Sequence, residues 1–285
     1  MKNHVLGTAQ FGKKNYGISN FSKELKKEKK IQKILEQAWN WGIRTYDTAP
    51  GYGTEKLLGK FIKKKRIQKK IKIITKISNL KRNSSVVSQI KKSIKLSLKK
   101  LNINKIHCLL FHNQKDYLLI SKEKNLLIKI KNEFNVENIG FSVYDVKVAK
   151  KILKIFPNVT LQFPYNVCNT TFDKLKKMNN IFFGRSIFLQ GLLINKKIKK
   201  SNLKLEKSHK NFINFIKLRN INPLQLCLDH AFSNKKLDHI IYGVTSLNEL
   251  KEIIHYKPKK FKDKKLERKI KSFFSRNNSD PRNWK

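Results

Sequence analysis

The sequence predicts an α/β fold, a single-domain (β/α)8 barrel of the TIM type, on three observations. Short apolar runs typical of β-strands alternate along the chain with longer stretches that have the apolar period of a helix, which is the pattern of a parallel α/β fold. The strand-like runs number eight, as a barrel of this type requires. The length of 285 residues suits one barrel of about 250 residues with additions.

The predicted strands are all short. In chain order they are residues 4–9, 43–48, 71–76, 104–112, 136–142, 159–164, 181–188 and 239–244. Helical periodicity is clearest over residues 30–41, 84–101 and 125–134, where apolar residues recur at three and four positions. We expect each of these helices to pack its apolar stripe on the sheet and to expose its lysines.

The last third of the chain departs from simple alternation. Residues 204–220 precede residues 223–232 with no clear strand between them, which predicts an inserted helix before the seventh barrel helix. We assign residues 1–257 to the barrel. Residues 258–285 form a basic C-terminal tail, packed on or extending from the barrel, with one helix near residues 262–274.

A formal net charge of +46, from 65 Lys and Arg against 19 Asp and Glu, stands out in the composition. Such charge is typical of proteins that bind nucleic acid or anionic membranes. However, only eight of the 65 are arginines, whose planar fork nucleic-acid readers use for bidentate contacts. The lysines are spread over nearly every predicted helix. We therefore attribute the charge to composition and expect no specific nucleic-acid partner.

The cysteines and the lengths of the apolar runs indicate the cellular compartment of the protein. Cys108, Cys168 and Cys227 are unevenly spaced, and an odd count without paired spacing argues against a disulfide scaffold and a zinc site. We expect reduced core thiols and no metal. The first residues lack an apolar run long enough for a signal peptide, and no stretch approaches the ~18 apolar residues of a membrane span. The sequence predicts a soluble, cytoplasmic protein without a membrane partner.

Four residues near the start of the chain could form a proton-donating site: Asp47, Tyr52, Lys76 and His112. A lysine that ends an apolar run is usually a solvated strand end, and a lone histidine usually packs or lies on the surface. Position favours the catalytic interpretation here, because Asp47, Lys76 and His112 each end a predicted strand, where parallel barrels place their catalytic groups.

The chemistry of these four residue types is mutually consistent. A phenol with a pKa near ~10 is a poor acid at neutral pH, but an adjacent buried ammonium stabilises its phenolate. Lys76 is the candidate ammonium for Tyr52. Because a desolvated lysine needs a carboxylate partner to stay charged, Asp47 could hold it. His112 would then hydrogen-bond a substrate oxygen.

The segment that carries these residues resembles the aldo-keto reductases. The resemblance begins at LGTAQFGKKNYGI (6–18), continues in GIRTYDTAPGYGTEKLLGKF (42–61) and reaches YGVTSLNEL (242–250), so it covers most of the chain. DTAPGYGTEKLLG is its most specific block. It implies a (β/α)8 barrel, a nicotinamide cofactor bound extended without a Rossmann domain, and carbonyl reduction by hydride transfer. The resemblance also implies that Asp47, Tyr52, Lys76 and His112 are the four catalytic residues of the family.

The resemblance implies cofactor-binding residues as well. Ser142 and Gln162 match positions that hydrogen-bond the nicotinamide carboxamide, which needs a donor and an acceptor. The chain departs from the family at Val143, where asparagine is common, so one carboxamide contact is in doubt. Arg185 and Ser186 end the seventh predicted strand, where barrels often bind phosphate and an arginine suits a pyrophosphate.

The loop after the eighth predicted strand resembles the family's phosphate and adenine-ribose region. Gly243 permits close backbone approach, and the hydroxyls of Thr245 and Ser246 precede a helix whose N-terminus attracts anions. Glu249 falls near the place where many relatives have a basic residue. A carboxylate there disfavours the 2′-phosphate of NADPH, whereas Lys251 and the overall charge favour it. We therefore expect NADPH and NADH to bind within about tenfold of each other.

Two functions are compatible with the sequence. The first is an NAD(P)H-dependent oxidoreductase that reduces a small aldehyde, ketone or sugar-like carbonyl through the Tyr/Lys/Asp/His tetrad. The alternative is a non-catalytic barrel that acts as a binding or regulatory protein, for polyanions in view of its charge. An intact tetrad favours the first, because a barrel retained only for binding has no need of it. The substrate and the oligomeric state are not readable from the sequence.

Overall fold

A computed structural model of the chain describes residues 3–12, 16–17, 27–82, 84–123, 125–195, 198, 203–275 and 277–284. Eight parallel strands form a closed barrel in chain order, and β8 pairs with β1 to complete it. This confirms the predicted (β/α)8 TIM barrel. The strands are β1 (Asn3–Gly7), β2 (Thr45–Asp47), β3 (Lys72–Ile77), β4 (Ile106–Phe111), β5 (Val136–Ser142), β6 (Thr160–Pro164), β7 (Phe182–Arg185) and β8 (His239–Tyr242).

Helices fill most of the connections between the strands. They are α1 (Ala9–Gly12), α2 (Glu28–Asn40), α3 (Glu55–Lys65), α4 (Val86–Leu101), α5 (Tyr117–Ile120), α6 (Leu126–Glu133), α7 (Val146–Ile155), α8 (Leu203–Leu218), α9 (Pro223–Ser233), α10 (Leu247–His255) and α11 (Lys264–Ser272). The inserted helix predicted before the seventh barrel helix is α8, and both α8 and α9 lie between β7 and β8.

The first and seventh strands end earlier than the sequence predicts, and one connection of the barrel has no α-helix. The first strand, predicted to reach residue 9, ends at Gly7 because the chain turns into α1. The seventh, predicted to reach residue 188, ends at Arg185 because Ser186 adopts a left-handed backbone with φ 57°. Between β6 and β7 the described chain has a 3-10 turn, Thr171–Lys174, in place of a barrel α-helix.

The amphipathic helices pack as their period predicts. In α4, for example, Ile90, Ile94 and Leu101 are buried in the main core, while most of the exposed positions are lysines. Asn102 ends this helix in a left-handed conformation, and its N–H donates to the last carbonyls. The three cysteines are free and buried. Within the described ranges, each helix is too short or too polar to cross a bilayer.

The residues after α10 fold back onto the barrel. Ile270 of α11 is fully buried, and Glu267 of the same helix pairs with Lys271 and Lys264 while it lies near His230 of α9. Further along, the guanidinium of Arg282 lies over the ring of Tyr144, 3.9 Å from its centroid. Residues 277–284 therefore reach the loop that follows β5.

Candidate active site

A layer of polar residues and glycines faces inward at the C-terminal end of the barrel. Side chains alternate between the two faces of a strand, and Val5, Ile74, Leu110, Phe183 and Ile241 form a buried cluster of their own that we place inside the barrel. The residues two positions further along these strands therefore face inward as well. They are Gly7, Lys76, His112, Arg185 and Gly243.

Asp47 connects this layer across the barrel. The Lys76 ammonium donates to Asp47 Oδ1 over 2.7 Å and to the Thr48 carbonyl over 2.9 Å. The Gln162 amide nitrogen donates to the same Asp47 oxygen over 2.8 Å. The side chains of Lys76 and Asp47 are 0% and 6% exposed, so the ion pair is shielded from solvent and from salt. Ser142 pairs with Gln162 in the register of β5 and β6.

Tyr52 is held by a short turn after β2. The 3-10 helix Pro50–Tyr52 begins with proline, which fixes the first φ angle, and Gly53 ends it with a φ of 74°. Gly12 of α1 lies so close that a Cβ there would be 1.9 Å from the Tyr52 carbonyl oxygen. Only glycine fits at that position, and the contact fixes the backbone of Tyr52 against α1.

The side chains of Tyr52, Lys76 and His112 lie next to one another. Lys76 Nζ lies 5.0 Å from the centroid of the Tyr52 ring. The rings of Tyr52 and His112 are 5.8 Å apart and nearly perpendicular, at 87°. The structure thus brings together all four residues predicted to be catalytic.

Electrostatics keep Tyr52 protonated. Burial raises the pKa of its hydroxyl well above the usual range, and the Asp47 carboxylate raises it further, while Arg185 lowers it. The prediction from sequence was that the dominant neighbour would be a cation that lowers this pKa. Burial and Asp47 outweigh the cations here. At neutral pH Tyr52 therefore carries the proton that a general acid must give up.

A cleft opens beside the tetrad. Among the predicted cofactor residues, Arg185, Ser186, Gly243 and Thr245 line it, together with Tyr52 and Asp47. Ser142 and Gln162 are 2% and 0% exposed and are not among its lining residues. Gln162 Oε1 is a buried acceptor without a hydrogen-bond partner among the described residues. A carboxamide N–H would satisfy it, so these residues fit a nicotinamide.

The loop after β8 is organised around Glu249. Its carboxylate accepts from the Thr245 N–H over 2.6 Å and from the Thr245 hydroxyl over 2.7 Å. Ser246, the N-cap of α10, accepts from the Glu249 N–H over 3.2 Å. The Thr245 hydroxyl, which was predicted to face a phosphate, is thus bound to a carboxylate, and so is the Thr245 N–H. The spacing Ser246-x-x-Glu249 is that of a capping box, so the sequence contained a signal for the contact between Ser246 and the Glu249 N–H. The carboxylate binds Thr245, the residue before the N-cap.

Sequence reasoning missed the residues that support the site. The hydroxyl of Thr54 lies 2.8 Å from that of Thr8 and 2.9 Å from that of Thr48, and all three residues are buried. This chain of hydroxyls ties the loop of Tyr52 to β1 and β2. Tyr16, which lines the cleft, and Tyr144, on which Arg185 and Arg282 stack, were also missed. No local spacing marks such contacts between distant parts of the chain.

Comparison with known proteins decides the family. The model of the aldo/keto reductase family matches residues 5–271, from β1 through most of α11. The chain belongs to the aldo/keto reductase family. It is therefore an NAD(P)H-dependent oxidoreductase, and the family acts on small carbonyl compounds. The described part of this aldo/keto reductase holds no cluster of three or more His, Cys, Asp or Glu side chains placed to bind a metal.

Solved structures of other aldo/keto reductases share the fold. An aldo-keto reductase of Bacillus halodurans in its holo form superposes with a TM-score of 0.72 at 17% identity, over 95% of this chain and 91% of its own. A glycerol dehydrogenase of Gluconobacter oxydans superposes with a TM-score of 0.69 at 17% identity, over 98% and 93% of the two chains. At these identities the likeness establishes the architecture of the barrel.

A sequence relative matches over a shorter stretch. A Schizosaccharomyces pombe protein named as an inferred aryl-alcohol dehydrogenase is 41% identical over 66 residues, which is 22% of this chain. The matched stretch spans 18% of the length of that relative. The match therefore concerns one local block.

Proposed function

We propose that this aldo/keto reductase reduces a small aldehyde, ketone or sugar-like carbonyl, with Tyr52 as the proton donor. The observation that carries the proposal is the buried Lys76–Asp47 ion pair beside the Tyr52 ring, with His112 against the same ring. A cation held in a dry site next to a protonated phenol is an arrangement that stabilises the phenolate left when the proton departs.

Each of these residues has a distinct task in the proposed reaction. When bound, the nicotinamide supplies the hydride that adds to the carbonyl carbon. Tyr52 gives its hydroxyl proton to the carbonyl oxygen, which becomes an alcohol. Lys76 stabilises the resulting phenolate, and Asp47 holds the Lys76 ammonium in place through their hydrogen bond. His112 hydrogen-bonds the carbonyl oxygen and orients it toward the phenol.

The remaining polar residues would hold the cofactor. Ser142 and Gln162 lie on neighbouring strands at the end of the barrel and supply the donor and acceptor that a carboxamide needs. Ser186, Gly243 and Thr245 line the cleft. The Ser186 hydroxyl, the backbone at Gly243 and the start of α10 at Ser246 suit the phosphates of an extended dinucleotide, whereas Thr245 could donate to a phosphate only after Glu249 releases it.

Cofactor and substrate assays test the proposal. Titration with NADH and NADPH, followed by the change in nicotinamide fluorescence, is expected to show saturable binding of a reduced cofactor. Consumption of that cofactor should then depend on an added aldehyde or ketone from a panel of small carbonyl compounds. Failure to bind either cofactor would refute the proposal, as would binding without turnover of any carbonyl compound.

Glu249 is expected to control the choice between the two cofactors. Its carboxylate occupies the Thr245 donors and repels a 2′-phosphate. We expect Glu249→Gln to tighten NADPH binding relative to NADH by about tenfold, which corresponds to ~1.4 kcal/mol. Dissociation constants for both cofactors in both proteins measure the change.

The matched control is Glu252→Gln. Glu252 lies on the same helix, is exposed and makes no contact with Thr245 among the described hydrogen bonds, so this variant loses the same charge without releasing the Thr245 donors. Its cofactor preference should stay that of the wild type. An equal shift in both variants would contradict a specific role for Glu249.

A further inference from the structure

Arg185 is a cation at the barrel mouth whose hydrogen-bonding capacity is largely unused. Its Nη1 makes one long contact, 3.4 Å to the hydroxyl of Ser186. Its Nη2 is buried and has no hydrogen-bond partner among the described residues. No carboxylate of the described chain forms a salt bridge with it. Arg185 as a whole is half-buried, but a buried guanidinium nitrogen without a hydrogen-bond acceptor is costly to fold, so an arginine kept in this state suggests a ligand.

Arg282 stacks on the same tyrosine as Arg185 but, unlike Arg185, forms a salt bridge. The ring of Tyr144 lies between two guanidinium groups, with Arg185 at 4.2 Å and Arg282 at 3.9 Å from its centroid. Arg282 donates to both carboxylate oxygens of Asp280, over distances of 2.5 to 3.0 Å. Arg282 therefore has a carboxylate in direct contact. Arg185 interacts with Asp280 and Asp47 only at longer range, so its N–H groups remain available to an anion in the cleft.

The position of Arg185 points to the substrate. Its side chain projects inward from the end of β7, lines the same cleft as Tyr52 and Asp47, and interacts electrostatically with Tyr52 and Tyr16. Stacking on Tyr144 fixes the plane of the guanidinium and leaves the N–H groups at its edge to bind. The sequence alone suggested a pyrophosphate for Arg185, but its guanidinium faces the residues proposed to perform the chemistry.

We propose that Arg185 binds a carboxylate of the substrate, so that the carbonyl compounds reduced here are anionic, as oxo acids and aldehyde acids are. The inference rests on the proposed function. An arginine fork matches the two oxygens of a carboxylate. The net charge of +46 acts in the same direction, because a cationic field raises the local concentration of anionic substrates and their rate of association.

A pair of substrates that differ only in charge tests the inference. 4-Carboxybenzaldehyde carries a carboxylate, and methyl 4-formylbenzoate is its neutral ester. We expect the wild type to favour the acid in kcat/KM by at least about tenfold. Arg185→Met should lower kcat/KM for the acid by about a hundredfold and for the ester by less than about threefold. Arg185→Lys keeps the charge without the planar fork and should fall between the two.

Arg282→Met is the matched control, because it removes the paired arginine from the other side of the same ring. It should retain the preference for the acid. If Arg185→Met instead binds NADH and NADPH more weakly and still prefers the acid, the inference is overturned. Arg185 would then bind the cofactor pyrophosphate, as the sequence suggested. Equal activity of the wild type on acid and ester would overturn it as well.

Calorimetry with benzoate, which cannot be reduced, separates this inference from the proposed function. The titration uses the protein with bound cofactor, and also the free protein. If the wild type reduces neither aldehyde but binds benzoate, and Arg185→Met does not, the proposed function fails and the anion site stands. If both aldehydes are reduced and benzoate binds equally to both proteins, the proposed function stands and the anion site fails.

Discussion

Tyr52→Phe is expected to lower kcat by a factor of about 10² to 10⁴, the contribution typical of general acid catalysis. The substitution removes the hydroxyl proposed to supply the proton and leaves the ring between Lys76 and His112 in place. Because Tyr52 stays protonated at neutral pH, the wild type is ready to donate without prior protonation. Steady-state kinetics at saturating cofactor and carbonyl substrate measure the effect.

Two further measurements make this expectation specific. The dissociation constant of the cofactor should stay nearly the same in Tyr52→Phe, since the tyrosine acts on the transition state. Tyr256→Phe removes another tyrosine hydroxyl, one bonded to Asp229 away from the cleft, and should leave kcat unchanged. Wild-type turnover by Tyr52→Phe would exclude Tyr52 as the proton donor.

Lys76→Met is expected to impair both stability and activity. Lys76 is fully buried and its ammonium bonds Asp47, so the variant leaves a buried carboxylate with the Gln162 amide as its remaining side-chain donor among the described contacts. Breaking a buried ion pair on one side typically costs ~3–5 kcal/mol in the free energy of unfolding. Denaturant unfolding of the two proteins measures this loss, and kcat should fall together with it because the phenolate has lost its cation.

The double variant Lys76→Met/Asp47→Leu separates the two effects. Removing both charges eliminates the uncompensated carboxylate, so much of the lost stability should return. Activity should not return, because the ammonium beside Tyr52 is still missing. If Lys76→Met alone unfolds at the same denaturant concentration as the wild type, the ion pair does not have the proposed effect on stability. Recovered activity in the double variant would contradict the catalytic role of Lys76.

The grouping of the residues proposed to donate the proton was predictable because it depends on local rules. A strand exposes alternate residues on one face, and parallel barrels collect the C-terminal ends of their strands. Those two rules place Asp47, Lys76 and His112 together without knowledge of any distant contact. The loop of Tyr52 was predictable from its proline and glycines, which determine where the chain can turn.

Other features depend on contacts that no local pattern encodes. The stack of Arg185 and Arg282 on Tyr144 joins three segments whose sequence spacing carries no periodic signal. The pKa of Tyr52 depends on how deeply the assembled loops bury it, which composition does not give. Glu249 is an intermediate case, because its capping-box spacing is visible in the sequence while its bond to the Thr245 hydroxyl is not.

Barrel closure has a consequence for the order in which the site can be made. The ion pair of Asp47 and Lys76 joins neighbouring strands that are close in the chain, whereas closure pairs Val5 of β1 with Ile241 of β8. During synthesis from the N-terminus, β1 lacks its second neighbour until β8 has been made, so one sheet edge stays unpaired for most of translation. The half of the site proposed to donate the proton thus belongs to the early part of the nascent chain, and the half that would hold phosphates belongs to the late part.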